Sequence, residues 1–323
     1  MARIAHCRVG ADRFAVDLSA LLGIERTDRL QLAPAESGSE RAAEIGWLLG
    51  AREDVPVHSL ARLLGRPAAS RATRGAGVVL VHSGRSGAGR FGVLVDGIER
   101  SDRPTEAIHP LPELFLRRGI YGFRGVVEEA GALSLLLDFA ALVAGRAESL
   151  EAAQCPVRPE ADRHAGAEVA SRPASRVLIA DLNAQSAGGQ QVSIAFTAGQ
   201  VAEVVEALPI IPVPGAPAHL PGIIHWRDTP LPVLDLARIL TGPGRFPALD
   251  LQAARFIVVA AGPFHVAVPV GREVLFERLP LPARPLPLPP ELAISEVLGS
   301  YDFAGSLLLV FDFARSLART DQV

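Results

Sequence analysis

The chain repeats itself, and that repeat limits what it can fold into. Val55-Pro56-Val57-His58-Ser59-Leu60-Ala61-Arg62-Leu63-Leu64 lies on Leu231-Pro232-Val233-Leu234-Asp235-Leu236-Ala237-Arg238-Ile239-Leu240, 176 positions later. Leu135-Leu136-Leu137-Asp138-Phe139-Ala140 lies on Leu309-Val310-Phe311-Asp312-Phe313-Ala314, 174 positions later. Order and spacing are both kept, which marks a duplication of one structural unit. Between the copies, residues 146–173 are rich in Pro, Arg, Ala and Glu and show no helical or strand periodicity, the composition of a linker. The expected domains are therefore 1–145 and 174–323, in a chain of 323 residues, about twice the usual single-domain length.

Each repeated segment is a short apolar run, then a Ser or Asp, then a helical turn or two. Ser59, Asp138, Asp235 and Asp312 stand where a side-chain oxygen can accept from the first free helix amides, so all four are expected N-caps. Most of the remainder reads as strands of five or six residues with turn-rich flanks, at 13–18, 77–82, 91–95, 177–182, 192–196, 255–260 and 265–270. Helical patterns are expected at 19–24 and 199–208. The fold class is mainly β with short helices, built as small barrels or sandwiches.

Composition excludes several function classes. Net charge is −3 with a pI near 6.3, which provides no basic footprint for nucleic acid or an anionic membrane surface. The first 14 residues interleave polar with apolar positions, unlike a signal peptide. The longest apolar run, 131–145, is interrupted by Asp138 and too short to cross a bilayer. Cys7 and Cys155 have no metal or redox companion at motif spacing, which fits a cytoplasmic protein with incidental thiols.

Chemistry-bearing motifs are decoys. Gly87-Ala88-Gly89-Arg90-Phe91-Gly92 spells G-x-G-x-x-G, but a dinucleotide site needs a helix next, and the following residues alternate like a strand. A Gly-rich hairpin is expected instead. The eight histidines include no i, i+4 pair and no Cys or Glu at zinc-site spacing. His58 and Ser59 are sequence neighbours whose side chains diverge on a strand, and no G-x-S-x-G elbow occurs. No catalytic residue, cofactor or metal is called for.

The second copy contains, in order, Val201-Ala202-Glu203-Val204-Val205, Ile211-Pro212-Val213-Pro214-Gly215-Ala216-Pro217, Gly222-Ile223-Ile224-His225-Trp226-Arg227 and Leu231-Pro232-Val233-Leu234-Asp235-Leu236. This succession resembles the CheW-like domain of bacterial chemotaxis scaffolds, whose motifs read E-V-L, P-V-P-G-A-P, G-V-I-N-L-R-G and L-P-V-V-D-L. The first copy is similar to the same family at Phe91-Gly92-Val93-Leu94-Val95-Asp96-Gly97-Ile98, at Ile108-His109-Pro110-Leu111-Pro112 and at Leu135-Leu136-Leu137-Asp138. The resemblance implies two tandem CheW-like domains, each of two small SH3-like five-stranded barrels, without enzymatic activity. It implies two partners, the regulatory domain of a CheA-like histidine kinase and the cytoplasmic tip of a chemoreceptor, and thus a cytoplasmic place at membrane-associated receptor arrays without direct membrane insertion.

Carried over residue by residue, the resemblance gives Val201, Glu203 and Arg227 as first-barrel partner contacts, and Gly92, Val93, Val95 and Asp96 as the second-barrel strand and turn near the other partner surface. The departures are complementary. In the first copy Gly23 replaces the glutamate and Ala51 the arginine; in the second, Pro269 is aligned with Asp96, and His225 and Asp228 replace the family's Asn and Gly. The expected functional surface is therefore split, one contact kept by each copy. Two other readings stay open: a diverged tandem regulator that binds a single partner in a motility, pilus or second-messenger pathway, and an enzyme with an unrecognised site.

Overall fold

A computed structural model describes residues 3–32, 43–50, 53–66, 77–83, 89–100, 105, 107–144, 174–185, 189–241, 254–261, 264–280, 297–311 and 313. The chain divides into two compact units, Met1–Pro156 and Val157–Val323. The linker expected at 146–173, the expected cap Asp312 and Cys155 lie outside the described residues.

The first unit contains β1 (Ile4–Val9), β2 (Asp12–Asp17), β3 (Leu21–Arg26), β4 (Leu30–Leu32), β5 (Glu44–Leu48), β6 (Val55–Ser59), α1 (Leu60–Leu63), β7 (Val78–Ser83), β8 (Arg90–Val95), β9 (Gly97–Arg100), β10 (Ala107–His109), α2 (Glu113–Arg117), β11 (Phe123–Glu129), β12 (Ala132–Leu137) and α3 (Phe139–Ala144). The second contains β13 (Ala174–Gln185), β14 (Gln191–Thr197), β15 (Val201–Val205), β16 (Ile211–Pro212), β17 (Gly222–Trp226), β18 (Thr229–Val233), α4 (Leu236–Thr241), β19 (Arg255–Ala261), β20 (Phe264–Val270), β21 (Val274–Pro280), β22 (Val297–Phe303) and β23 (Ser306–Phe311). No helix among the described residues is long and apolar enough to cross a membrane.

Each unit builds two curled sheets by one route. The chain starts in one sheet, leaves to complete the other, and returns. In the first unit the orders are β10-β11-β12-β2-β1-β9 and β3-β7-β8-β6-β5-β4; in the second they are β21-β13-β14-β23-β22 and β15-β19-β20-β18-β17-β16. The return is a parallel pairing, Leu136 with Ala15 in one unit and Ile194 with Leu309 in the other. A parallel pair needs a crossover connection rather than a tight hairpin, and here the whole second sheet is that connection. The mainly β domain of two small curled sheets expected from the motifs forms twice, but among the described residues three of the four sheets have six strands rather than the expected five.

The duplication extends to the core. Leu48, Val55, Val57, Val79 and Val81 cluster inside the first unit's β3–β8 sheet. At the corresponding places in β15–β20 stand Ile224, Leu231, Val233, Phe256 and Val258, joined by Ala267. Bulges are duplicated as well, at Leu21/Gly23 and Val201/Glu203, and at Phe123/Gly125 and Val297/Gly299. A bulge strengthens local twist, so its recurrence at matched sites preserves the curl of each sheet.

The strands expected from the sequence form, and the G-x-G-x-x-G segment enters an antiparallel hairpin in which Val78 faces Val95 and Ser83 faces Arg90. Both of these expected helical segments are corrected. At 19–24 a single 3-10 turn, Leu18–Ala20, leads into β3, and 199–208 contains strand β15. Their residues fill edge positions beside β7 and β19, and sheet pairing overrides a weak local helical pattern. Val201, Val204 and Val205 are β-branched, which suits that outcome.

The caps divide. Asp235 accepts from Arg238 N at 3.1 Å and from Arg238 Nε at 3.0 Å, and Asp138 accepts from Ala141 N at 2.9 Å. Ser59 holds the N-cap position of α1 but makes no side-chain cap bond, which corrects that expectation. Asp235→Ala should therefore lower the second unit's stability by about 2 kcal/mol. Ser59→Ala should change the first unit's by less than about 0.5 kcal/mol. Urea unfolding of each variant checks the contrast.

A buried histidine packs the β3–β8 sheet of the first unit against helix α3. His82 on β7 stacks on Phe91 at 5.5 Å and meets Phe139, the first residue of α3, at 4.7 Å. Burial, against the opposing pull of the Ala20 backbone hydrogen bond and Asp138, pushes His82 down to about 4. Its Nε2 is buried with no hydrogen-bond partner among the described residues, so the Ala20 and Asp138 interactions offset the desolvation of the charged ring only in part. His6 is also lowered, by burial first and then by Arg13. A depressed histidine is neutral in the fold and binds a proton in the unfolded chain between the two pKa values. Its contribution is thus present above about 6.5 and lost as pH falls to about 4, at most about 3 kcal/mol for His82. The first unit should melt at falling temperature across this window, and His82→Leu should flatten the slope in calorimetry.

Candidate docking site

The turn between β17 and β18 carries the densest polar arrangement among the predicted contact residues. Trp226 faces Thr229, leaving Arg227 and Asp228 as a two-residue loop with φ of 45° and 58°. Two successive left-handed residues make the tight turn that matches strand twist. Asp tolerates this conformation locally, whereas a long side chain such as Arg rarely adopts it. The family's Gly falls where Asp228 now stands.

Arg227 is held in place from two sides. Its Nη2 lies 2.9 Å from Glu203 Oε2, and its guanidinium carbon is 5.0 Å from the Trp226 ring centroid. The indole Nε1 donates to the same Glu203 oxygen at 2.7 Å, and His265 lies 5.7 Å from the indole. Glu203 comes from β15, one edge of its sheet, while Trp226 ends β17, next to the other edge. The contact therefore spans the barrel seam. The bulge at Val201/Glu203 sets Glu203 in register with core residue Val258, which aims the carboxylate at that seam. Arg227 stays 68% exposed and Glu203 34%, so the pair orients more than it stabilises.

The other predicted contacts are placed differently. Val201 is half-buried on β15, opposite Val259. Val93 and Val95 are buried core residues of β8. Gly92 is buried too, with Val79 and Val57 side chains 2.7 and 3.1 Å from where a Cβ would sit. All three are buried, Gly92 on one face of β8 and Val93 and Val95 on the other. Asp96 is exposed, and its carboxylate accepts from Gly10 N at 2.6 Å while its own N–H donates to Arg8 O at 2.9 Å. It ties the β1–β2 turn to the join between β8 and β9.

The alignment of Pro269 with Asp96 is corrected by register. Val57 faces Gly92 and Val233 faces Ala267, which puts Gly271 at the place of Asp96. Gly271 N donates to Asp181 O at 2.7 Å, as Asp96 N does to Arg8 O. The second unit therefore keeps the backbone bond and lacks the carboxylate. Conversely, the first unit has Gly23 and Gly50 at the places of Glu203 and Trp226. A Cβ on Gly50 would fall inside contact distance of the Glu53 carbonyl oxygen. Ala51, at the place of Arg227, lies outside the described residues.

Sequence reasoning missed Trp226 and His265 as members of the cluster. A signal existed for Trp226, since an aromatic N–H donor replaces the family's leucine directly beside Arg227. His265 had none, because its proximity depends on the order of β20, β18 and β17.

Comparisons with known proteins bear on the whole chain. No curated protein matches it significantly. Among solved structures, the scaffolding protein TtCheW from Thermoanaerobacter tengcongensis is similar at 13% identity and a TM-score of 0.35, over 44% of this chain and 92% of that one. The family model of the CheW-like domain matches residues 3–147 and again 176–321. With both halves matched, the chain belongs to the CheW-like domain family and carries two copies of that domain in tandem.

Proposed function

We propose that the protein is a non-enzymatic adaptor that couples a CheA-type histidine kinase to chemoreceptors in chemotaxis-type signalling. The observation that carries this reading is the family match over both halves. Catalysis has no support in it, since the family is one of scaffolds. The working surface is divided, and we assign Val201, Glu203 and Arg227 in the second unit to the kinase regulatory domain and the β8 segment from Gly92 to Asp96 in the first unit to the receptor tip. Because Val93 and Val95 are buried, their part is to hold that segment, with Asp96 as its exposed end.

The mechanism is simultaneous docking that fixes the kinase relative to the receptor, in the cytoplasm at receptor arrays. The missing clamp in the first unit, Gly23 and Gly50 for Glu203 and Trp226, favours one second reading, a regulator that competes for a single partner. Co-precipitation from purified components separates the two. An adaptor retains a kinase regulatory domain and a receptor-tip fragment together; a single-partner regulator retains one, and neither retained sinks both readings.

A further inference from the structure

We infer that Trp226 is a positioning residue that sets Arg227 as a fixed, outward fork for a carboxylate-bearing partner surface. This rests on the adaptor reading of the same site. Two contacts made by one side chain motivate it. The indole N–H donates to Glu203 Oε2 at 2.7 Å, which fixes the carboxylate that Arg227 meets at 2.9 Å. The indole ring then lies under the guanidinium at 5.0 Å, within the range of a cation–π contact.

Without these contacts the arrangement would be loose. An arginine 68% exposed on a two-residue turn samples many rotamers, and ordering it on binding costs affinity. Here the seam orders it beforehand. Glu203 engages the guanidinium at Nη2, and the indole ring lies against its carbon. Of the five N–H donors an arginine carries, the Glu203 contact engages Nη2, and with the side chain 68% exposed the others can read a partner carboxylate. Leucine, the family's residue at this position, could pack beside the barrel core but could neither hold Glu203 nor support the cation. The first unit, with Gly50 in this place, has no equivalent.

The test uses the full chain, a purified CheA-type kinase regulatory domain as probe, and NMR relaxation of the Arg227 Nε–Hε group in the free protein. Trp226→Leu should raise Arg227 mobility and weaken binding about fivefold, with the melting temperature nearly unchanged. Trp226→Phe keeps the ring and should recover about half of that loss in logarithmic terms. Glu203→Gln keeps an acceptor for the indole and loses the ion pair, so Arg227 should loosen while Trp226 keeps its hydrogen bond. If Trp226→Leu leaves both Arg227 order and affinity as in the parent, the inference is overturned. Should Arg227 loosen in Trp226→Leu while the parent protein binds no kinase domain, the positioning role stands and the adaptor reading falls.

Discussion

Gly222→Ala should cost the second unit about 3 kcal/mol of stability, and Gly222→Val should abolish its folding. A Cβ at Gly222 would fall inside contact distance of the Ile211 carbonyl oxygen and 2.7 Å from Ile210 Cγ2. Ile211 belongs to β16, which pairs with β17 through Pro212 and Gly222, so the obstruction is backbone that cannot rotate away. Overpacking at such a point costs about 1–3 kcal/mol, occasionally more. Gly46 repeats the arrangement in the first unit, where a Cβ would meet the Gln31 carbonyl oxygen and the Leu32 Cα at 2.8 Å, so Gly46→Ala should destabilise that unit similarly. Gly199→Ala, with nothing within 4 Å of its Cβ position, should be close to neutral. Urea unfolding of the three alanine variants measures the ranking, and equal stabilities would refute it.

Arg227→Glu should weaken binding of a kinase regulatory domain about a hundredfold and leave the melting temperature nearly unchanged. The reversed charge removes the fork and places a second carboxylate near Glu203, whose Oε2 is 2.9 Å from Arg227 in the parent. Stability changes little because the pair is exposed, and exposed pairs contribute at most about 1 kcal/mol. Isothermal titration together with a thermal melt separates the two effects. A large fall in melting temperature would mean that Arg227 serves the barrel seam rather than a partner.

Much of the fold was legible because the duplication states the same answer twice. The segments at Val55 and Leu231 predict matched strands and helices, and the matched cores at Leu48 to Val81 and Ile224 to Val258 follow from them. The failures were local. Residues 19–24 and 199–208 read as helix because a short apolar pattern does not reveal that an edge position beside β7 or β19 awaits it. Ser59 read as a cap because its type is right, while bonding depends on geometry.

The site was legible in part. Glu203 and Arg227 were named from motif position, and the structure brings them to 2.9 Å. Their contact requires the edges of a six-stranded sheet to meet, which no spacing along the chain encodes. Gly92, Val93 and Val95 were named by the same logic and are interior, because a motif does not distinguish residues that touch a partner from those that hold the surface in shape. Asp96 was misaligned with Pro269 because the two copies differ by small shifts, and only strand register identified Gly271.

The divided surface is tested most directly by titrating the parent chain, Arg227→Glu and Asp96→Arg with a kinase regulatory domain and, separately, with a receptor-tip fragment. The account predicts that the parent binds both, that Arg227→Glu loses the kinase domain and keeps the receptor fragment, and that Asp96→Arg does the reverse. Unchanged affinities for both partners in both variants would contradict it.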